Sequence, residues 1–145
     1  MSRVFVLASG APLEEVPPPA GLEIVLDLDR RRVEYRNAGV GFAVYRTERI
    51  PEVQTEKPCF SGLDLYGPGH EEALAAYLRT QAEAAGDVEL WHLWLDGGFD
   101  HRVRMAEIPA AELTAADLRE LEALEVSRRD PVLEVPTDYC YQIKK

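Results

Sequence analysis

The chain has 145 residues, of which 46% are hydrophobic and 29% are charged, and its formal net charge is −10 at pH 7. This length suits one domain, and the apolar fraction is too high for a disordered chain. Its two cysteines are too few to cross-link a small secreted protein, and no apolar run approaches the roughly 20 residues that cross a bilayer. We therefore expect a single soluble, cytoplasmic domain over residues 1–145, with no membrane association.

The negative net charge also favours some classes of binding partner over others. Nucleic-acid affinity comes largely from Lys and Arg displacing counterions, so the charge disfavours nucleic acid, and Arg30, Arg31, Arg32 and Arg36 support only a weak alternative of that kind. The same charge favours encounter with a basic protein. Lysine is rare and alanine abundant, which is typical of a GC-rich bacterial genome.

Alternating apolar residues predict strands in the first half of the chain. The segment Leu22, Ile24, Leu26 and Leu28 indicates a strand with one buried face, and Val33 resumes the alternation. For Leu28 and Val33 to share a face, the hairpin loop needs an even number of residues, and we expect four, residues 29–32. Further strands are predicted at residues 3–8, 42–46 and 59–65, and the proline-rich stretch 12–20 is a predicted loop.

Two helices are predicted from their end signals. Pro68 suits a first helical position and Gly86 a helix end, with Leu74 and Leu78 on the apolar face between them. The second helix should begin after Thr114, which is the expected N-cap, and extend to about residue 126.

Strands predicted at residues 89–95, 102–108 and 139–143 complete the pattern, the last of them at an edge of the sheet. Strands in hairpins with two interspersed helices predict the α+β class. We expect a single domain with a mostly antiparallel sheet and both helices packed on one face.

The two strands around residues 96–101 are expected to form a hairpin. Trp91, Leu93 and Leu95 lie on one face of the first strand, which we assign to the core. If the hairpin brings Met105 opposite Trp91, the other face carries two further pairs. In these pairs Arg102 lies opposite Trp94 and Arg104 lies opposite His92.

Most catalytic and metal-binding motifs are incomplete in this sequence. His70-Glu71 opens like a zinc-protease helix, but Leu74 stands where the second histidine would be needed. Cys59 and Cys140 do not form a CxxC pair. Residues 96–101, Asp-Gly-Gly-Phe-Asp-His, place two carboxylates and an imidazole close together, as a metal site would require. A glycine hairpin whose polar residues face solvent is the simpler interpretation. The sequence predicts no catalytic residue, no metal ligand set and no cofactor.

The sequence thus favours a small non-enzymatic protein that binds another protein, as an inhibitor, an immunity-like protein or a regulatory partner. Trp and Arg are enriched at interface hot spots, so the face opposite the core is the candidate surface. Its residues are His92, Trp94, Asp96, Asp100, His101, Arg102 and Arg104. The alternative is a small-molecule-binding or hydrolytic enzyme that uses the hairpin at residues 96–101, and a homodimer stays open.

Overall fold

The computed structural model describes residues 2–37, 39–95, 101–126 and 135–145. Within these ranges, strands and helices follow one another in an α+β order. They are β1 (Ser2–Ser9), β2 (Leu22–Asp27), β3 (Arg32–Asn37), β4 (Gly41–Thr47), β5 (Cys59–Tyr66), α1 (Glu71–Ala85), β6 (Val88–Leu95), β7 (Arg102–Pro109), a 3₁₀ turn (Ala110–Glu112), α2 (Ala115–Glu122) and β8 (Thr137–Lys144). No helix in the described part of the chain is both long and apolar enough to cross a membrane.

Six of the strands form one sheet in the order β4-β5-β1-β6-β8-β7. Its neighbouring strands are antiparallel except β7 and β8, which run parallel and are connected through α2. The remaining two strands, β2 and β3, form a separate two-stranded sheet. This arrangement confirms the predicted α+β fold with a mostly antiparallel sheet.

The observed helix ends agree with some of the end signals predicted from the sequence and differ from others. Thr114 is the N-cap of α2, as the sequence predicted, and its side chain and that of Asp117 bond reciprocally to each other's backbone amides. The helix ends at Glu122, short of the predicted end near residue 126. Gly86 ends α1 with a positive φ of 83°. The predicted start of α1 at Pro68 is wrong, because the helix begins at Glu71 with His70 as its N-cap.

The main core lies between the sheet and the two helices. Leu74 and Leu78 of α1, together with Leu118 and Leu121 of α2, pack in one cluster with sheet residues such as Leu90. Both helices therefore cover the same face of the sheet, as predicted, and this face is the one on which β6 presents Leu90 and His92.

A second apolar cluster lies on the opposite face of the sheet. Trp91 and Leu93 are fully buried there together with Val6 and Cys140, and Val53 from the β4–β5 connection packs on them. Their burial confirms the assignment of Trp91 and Leu93 to a core. The other face of β6, which carries His92, was expected to be open. This expectation is wrong, because the helices cover that face.

The predicted hairpin between β6 and β7 is also wrong, because β8 lies between these two strands. β8 is consequently a central strand and not the predicted edge strand. His92 pairs with Tyr139, and Tyr139 pairs with Arg104, so the predicted partners His92 and Arg104 do share one row. The inserted strand separates them by two strand spacings, about 10 Å.

The separate β2–β3 hairpin departs from its predicted burial. Its turn has four residues, as expected, but it spans 28–31, and Leu26 rather than Leu28 pairs with Val33. The strand face predicted to be buried is exposed: the exposed fractions are 62% for Ile24, 64% for Leu26, 83% for Leu28 and 53% for Val33. The alternation identified the two faces correctly, but no element in the described part of the chain covers the apolar one.

Candidate functional site

A cleft opens in the main sheet where β1 and β5 separate. The two strands pair from Ser9 and Cys59 as far as Phe5 and Leu63, and no further pair follows between them in the described structure, although both strands continue. The cleft at this end has a volume of about 760 Å³. Its lining includes Arg3, Tyr45, Asp64, Tyr66, His70 and Glu122.

The polar centre of the cleft is a contact between the two helices. His70 precedes the first residue of α1, and Glu122 is the last residue of α2. The Nε2 atom of His70 lies 2.8 Å from Oε1 of Glu122, and the Nδ1 atom lies 2.7 Å from the carbonyl oxygen of Gly67. The loop before α1 and the end of α2 thus fix the imidazole from both sides.

These contacts determine where the protons of His70 lie. The carbonyl oxygen of Gly67 can only accept a hydrogen bond, so Nδ1 carries a hydrogen and donates it. In a neutral ring, Nε2 then presents a lone pair toward Oε1 of Glu122. Two lone pairs at 2.8 Å repel each other, so either a proton lies between the two atoms or the pair has to open around a metal ion.

Glu122 offers more acceptor capacity than His70 uses. Its Oε2 atom is buried and has no hydrogen-bond partner among the described residues. Burial raises the pKa of Glu122, the His70 contact opposes this rise, and the nearby carboxylate of Glu71 adds to it. His70, Glu71 and Glu122 each offer a ligand atom, and these atoms all lie within 4.8 Å of one another. The arrangement can share a proton, and its nitrogen and oxygen donors can also coordinate a cation.

His92 lies behind this cleft in the main core. Its ring stacks on Phe5, with 4.3 Å between the ring centroids, and Nδ1 donates to the carbonyl oxygen of Leu121 at 2.9 Å. The Nε2 atom is buried and has no partner among the described residues. Burial lowers the pKa of His92 to about 4, so the ring is neutral near pH 7. His92, which the sequence placed on an open binding surface, is therefore a core residue.

The other predicted surface residues are dispersed. Trp94 is half-buried and pairs with Arg3 of β1, not with the predicted Arg102. Arg102 and Arg104 are exposed and pair with residues of β8. The structure thus does not bring the predicted surface together, because β8 occupies the position that the β6–β7 hairpin required.

Of the predicted ligand cluster at residues 96–101, only His101 is among the described residues. Asp96 and Asp100 lie outside the described residues. His101 lies with Nδ1 3.0 Å from Oδ1 of Asp138, and the two side chains are only 3% and 0% exposed. Its described contact is therefore inside the protein, with a residue of β8 that the sequence did not single out.

A second candidate surface is the apolar face of the β2–β3 hairpin. We call it the hairpin face, and it consists of Ile24, Leu26 and Val33 on the strands together with Leu28 in the adjoining turn. A two-stranded hairpin is at best marginally stable without packing against other elements. Apolar side chains grouped on such an element mark interaction sites more often than apolar residues scattered singly over a surface.

The sequence contained no signal for the pair of His70 and Glu122. These residues are 52 positions apart, and they meet only because α1 and α2 pack side by side. The sequence singled out His70-Glu71 only as an incomplete zinc-protease motif, and the helix dipole accounts for an acidic Glu71 in the first turn of α1 without any ligand.

The chain was compared with family models, with curated proteins and with solved structures. No family model matches the sequence, and neither a curated protein nor a solved structure matches it significantly.

Proposed function

We propose that this protein is a protein-binding module and that the hairpin face is its docking surface. The observation that carries the proposal is the exposure of Ile24, Leu26 and Val33 on one face of a separate two-stranded sheet, with Leu28 exposed in the adjoining turn. Burial of this face against a partner would gain about 25 cal/mol for each Å² of apolar surface. The same contact would supply the packing that a lone hairpin lacks.

The hairpin also offers backbone hydrogen bonds to a partner. Neither β2 nor β3 pairs with another named strand in the described structure, so each has an open edge. An extended segment of another protein can pair with such an edge while its apolar side chains pack on the neighbouring face. The proposal thus specifies the mode of binding, strand addition with apolar packing.

Charge favours a different protein over a second copy of this chain. Residues 22–37 hold equal numbers of acidic and basic residues, so the net charge of −10 lies on the rest of the molecule. Two copies would bring these negative charges together, whereas a neutral or basic partner would not. The partner we propose is therefore a neutral or basic protein with an extended apolar segment, and a regulatory or inhibitory role in a bacterial cytoplasm fits such binding.

The test compares two aspartate substitutions on the same strand. Leu26→Asp places a charge in the hairpin face, and Val25→Asp places the same charge on the opposite face. Tagged wild-type protein is used to isolate a partner, which is then purified and titrated against each variant by calorimetry. We expect Leu26→Asp to weaken binding about 30-fold or more, the usual effect at an interface hot spot. Val25→Asp should change the affinity by less than about 3-fold.

Analytical ultracentrifugation of the isolated protein, which measures its oligomeric state, can contradict the proposal. A stable dimer that Leu26→Asp converts to monomer would assign the hairpin face to a second copy and overturn the proposal. The proposal also fails if a reconstituted complex is equally sensitive to both substitutions, or if the protein is a monomer that yields no reconstitutable complex.

The cleft favours a second candidate function, small-molecule binding or hydrolysis. Its volume of about 760 Å³ is in the range of ligand sites, and the paired His70 and Glu122 could transfer a proton to or from a bound molecule. For the enzyme alternative we therefore propose the cleft as the site, in place of residues 96–101. Crystallographic fragment soaking would test it, since reproducible density against His70 is expected if the cleft is a ligand site.

A further inference from the structure

We propose that His70, Glu71 and Glu122 form a binding site for one divalent transition-metal ion at the wall of the cleft. Their ligand atoms lie within 4.8 Å of one another, and His70 and Glu71 are buried. This site is independent of the hairpin face, since the two involve different residues and different elements.

The orientation of His70 is that of a metal ligand. Metal-binding histidines usually donate one ring N–H to a carbonyl or carboxylate, which fixes the ring and leaves the other nitrogen free to coordinate. The bond from Nδ1 to the carbonyl oxygen of Gly67 does this at 2.7 Å and directs the lone pair of Nε2 toward Glu122.

The donor set distinguishes a cation from a shared proton. A proton between Nε2 and Oε1 satisfies that contact, but it leaves the buried Oε2 atom of Glu122 without a partner among the described residues. It also leaves the negative charge of Glu71 beside that of Glu122. A divalent ion would bind both carboxylates and the imidazole at once, and its charge would balance theirs.

The size of the site is suitable for such an ion. Bonds of about 2.0 to 2.2 Å from zinc to nitrogen and oxygen place neighbouring ligand atoms about 3.3 to 3.6 Å apart in a tetrahedron. The contact of 2.8 Å between His70 and Glu122 would open by roughly half an ångström or more, and any ligand atoms farther apart, up to 4.8 Å, would close around the ion. Arg3 is the positive side chain in the cleft lining, and it reduces the negative potential without supplying a ligand.

The ligand types define the class of metal. One imidazole with two carboxylates suits zinc, manganese, iron or cobalt better than calcium or magnesium, which prefer oxygen alone, or copper(I), which prefers sulfur. These residues supply one side of the coordination sphere. The remaining positions would face the cleft, where a water molecule or a ligand can occupy them.

The experiment measures zinc binding to the untagged full chain after dialysis against a chelator. Zinc is titrated in competition with a chromophoric chelator, and thermal unfolding is followed with and without the ion. We expect one zinc per chain and a melting temperature that rises with zinc. Glu122→Gln and His70→Gln should each lower the affinity by more than about 100-fold, beyond the usual loss for an outer-shell partner, and abolish the thermal shift.

Matched controls lie in the same two helices. Glu72 and Glu120 are exposed, and each is close in sequence to a proposed ligand, so Glu72→Gln and Glu120→Gln remove the same charge without touching the site. We expect these controls to bind zinc within about 2-fold of wild type. Far-UV circular dichroism of every variant establishes that it is folded, and a variant that unfolds is replaced by Glu71→Gln.

Three results would overturn the proposal. The first is that the wild type binds no zinc, which leaves a shared proton as the content of the site. The second is that control and site variants lose affinity equally, which indicates adventitious binding by surface carboxylates. The third is a thiolate charge-transfer band in the cobalt-substituted protein, which would place the ion on a cysteine such as the half-buried Cys59.

Discussion

Burial of a neutral His92 predicts that the protein loses stability in mild acid. The folded state holds the pKa of this ring at about 4, against an ordinary value of 6.5, because burial disfavours the imidazolium. The unfolded chain therefore takes up the proton first as the pH falls. The contribution of His92 to the free energy of unfolding is complete above about pH 6.5 and is lost progressively toward pH 4, with a total of about 3 kcal/mol.

The assay is urea unfolding, followed by far-UV circular dichroism at about pH 7.5 and about pH 5, where ordinary carboxylates are still ionised. Between these conditions the linkage of His92 amounts to about 2 kcal/mol. His92→Phe keeps an aromatic ring against Phe5 but cannot titrate, so its stability should fall by about 2 kcal/mol less than that of wild type over the same interval. The loss of the Leu121 hydrogen bond lowers the stability of this variant equally at both pH values.

An equal pH dependence of the two proteins would refute this reasoning. It would mean that the ring is hydrated or that a carboxylate reaches Nε2, so that the charged form is tolerated in the folded state. A smaller pH dependence of His92→Phe, by contrast, attributes the difference to this one group.

Three further predictions concern packing. Leu121→Ala should destabilise the fold by about 2 to 5 kcal/mol in urea unfolding, because it removes a fully buried side chain between α2 and the sheet, and a cost below about 0.5 kcal/mol would contradict that packing. Trp91→Ala should cost about 3 to 5 kcal/mol and Trp94→Ala clearly less, because Trp91 is fully buried and Trp94 is half-buried; equal costs would contradict this order. Gly62→Ala should cost about 1 kcal/mol, because the new Cβ would lie 2.3 Å from the ring of Tyr45, and the cost should disappear in a Tyr45→Ala background; persistence of the cost there would place the strain elsewhere.

The sequence by itself determined the elements and their faces. Period-two alternation located the strands, since side chains on a strand alternate between its faces whatever lies against them. The N-cap signal at Thr114 located the start of α2, because capping is an interaction local in the chain. The register argument even placed His92 and Arg104 in the same row of the sheet.

Tertiary structure alone decided which strands are neighbours and what covers each face. β8 lies between β6 and β7 because the chain returns through α2 to pair in parallel with β7, a long-range choice that no local pattern of these strands specifies. Alternation shows that a strand has an apolar face, but not whether another element covers it. For this reason the burial predicted from alternation was wrong for His92, which α2 covers, and for Leu26, which is exposed.

The contact between His70 and Glu122 in the cleft also depends on tertiary structure alone. In the sequence, His70 stands out only as the start of an incomplete zinc-protease motif, and Glu122 is a helix-terminal glutamate of a kind common on protein surfaces. Their chemistry arises from an approach to 2.8 Å between residues 52 positions apart, with the carbonyl oxygen of Gly67 fixing the ring. Hydrogen-bonding partners and burial set the chemistry of an ionisable group, and both are properties of the packed molecule, not of the chain order.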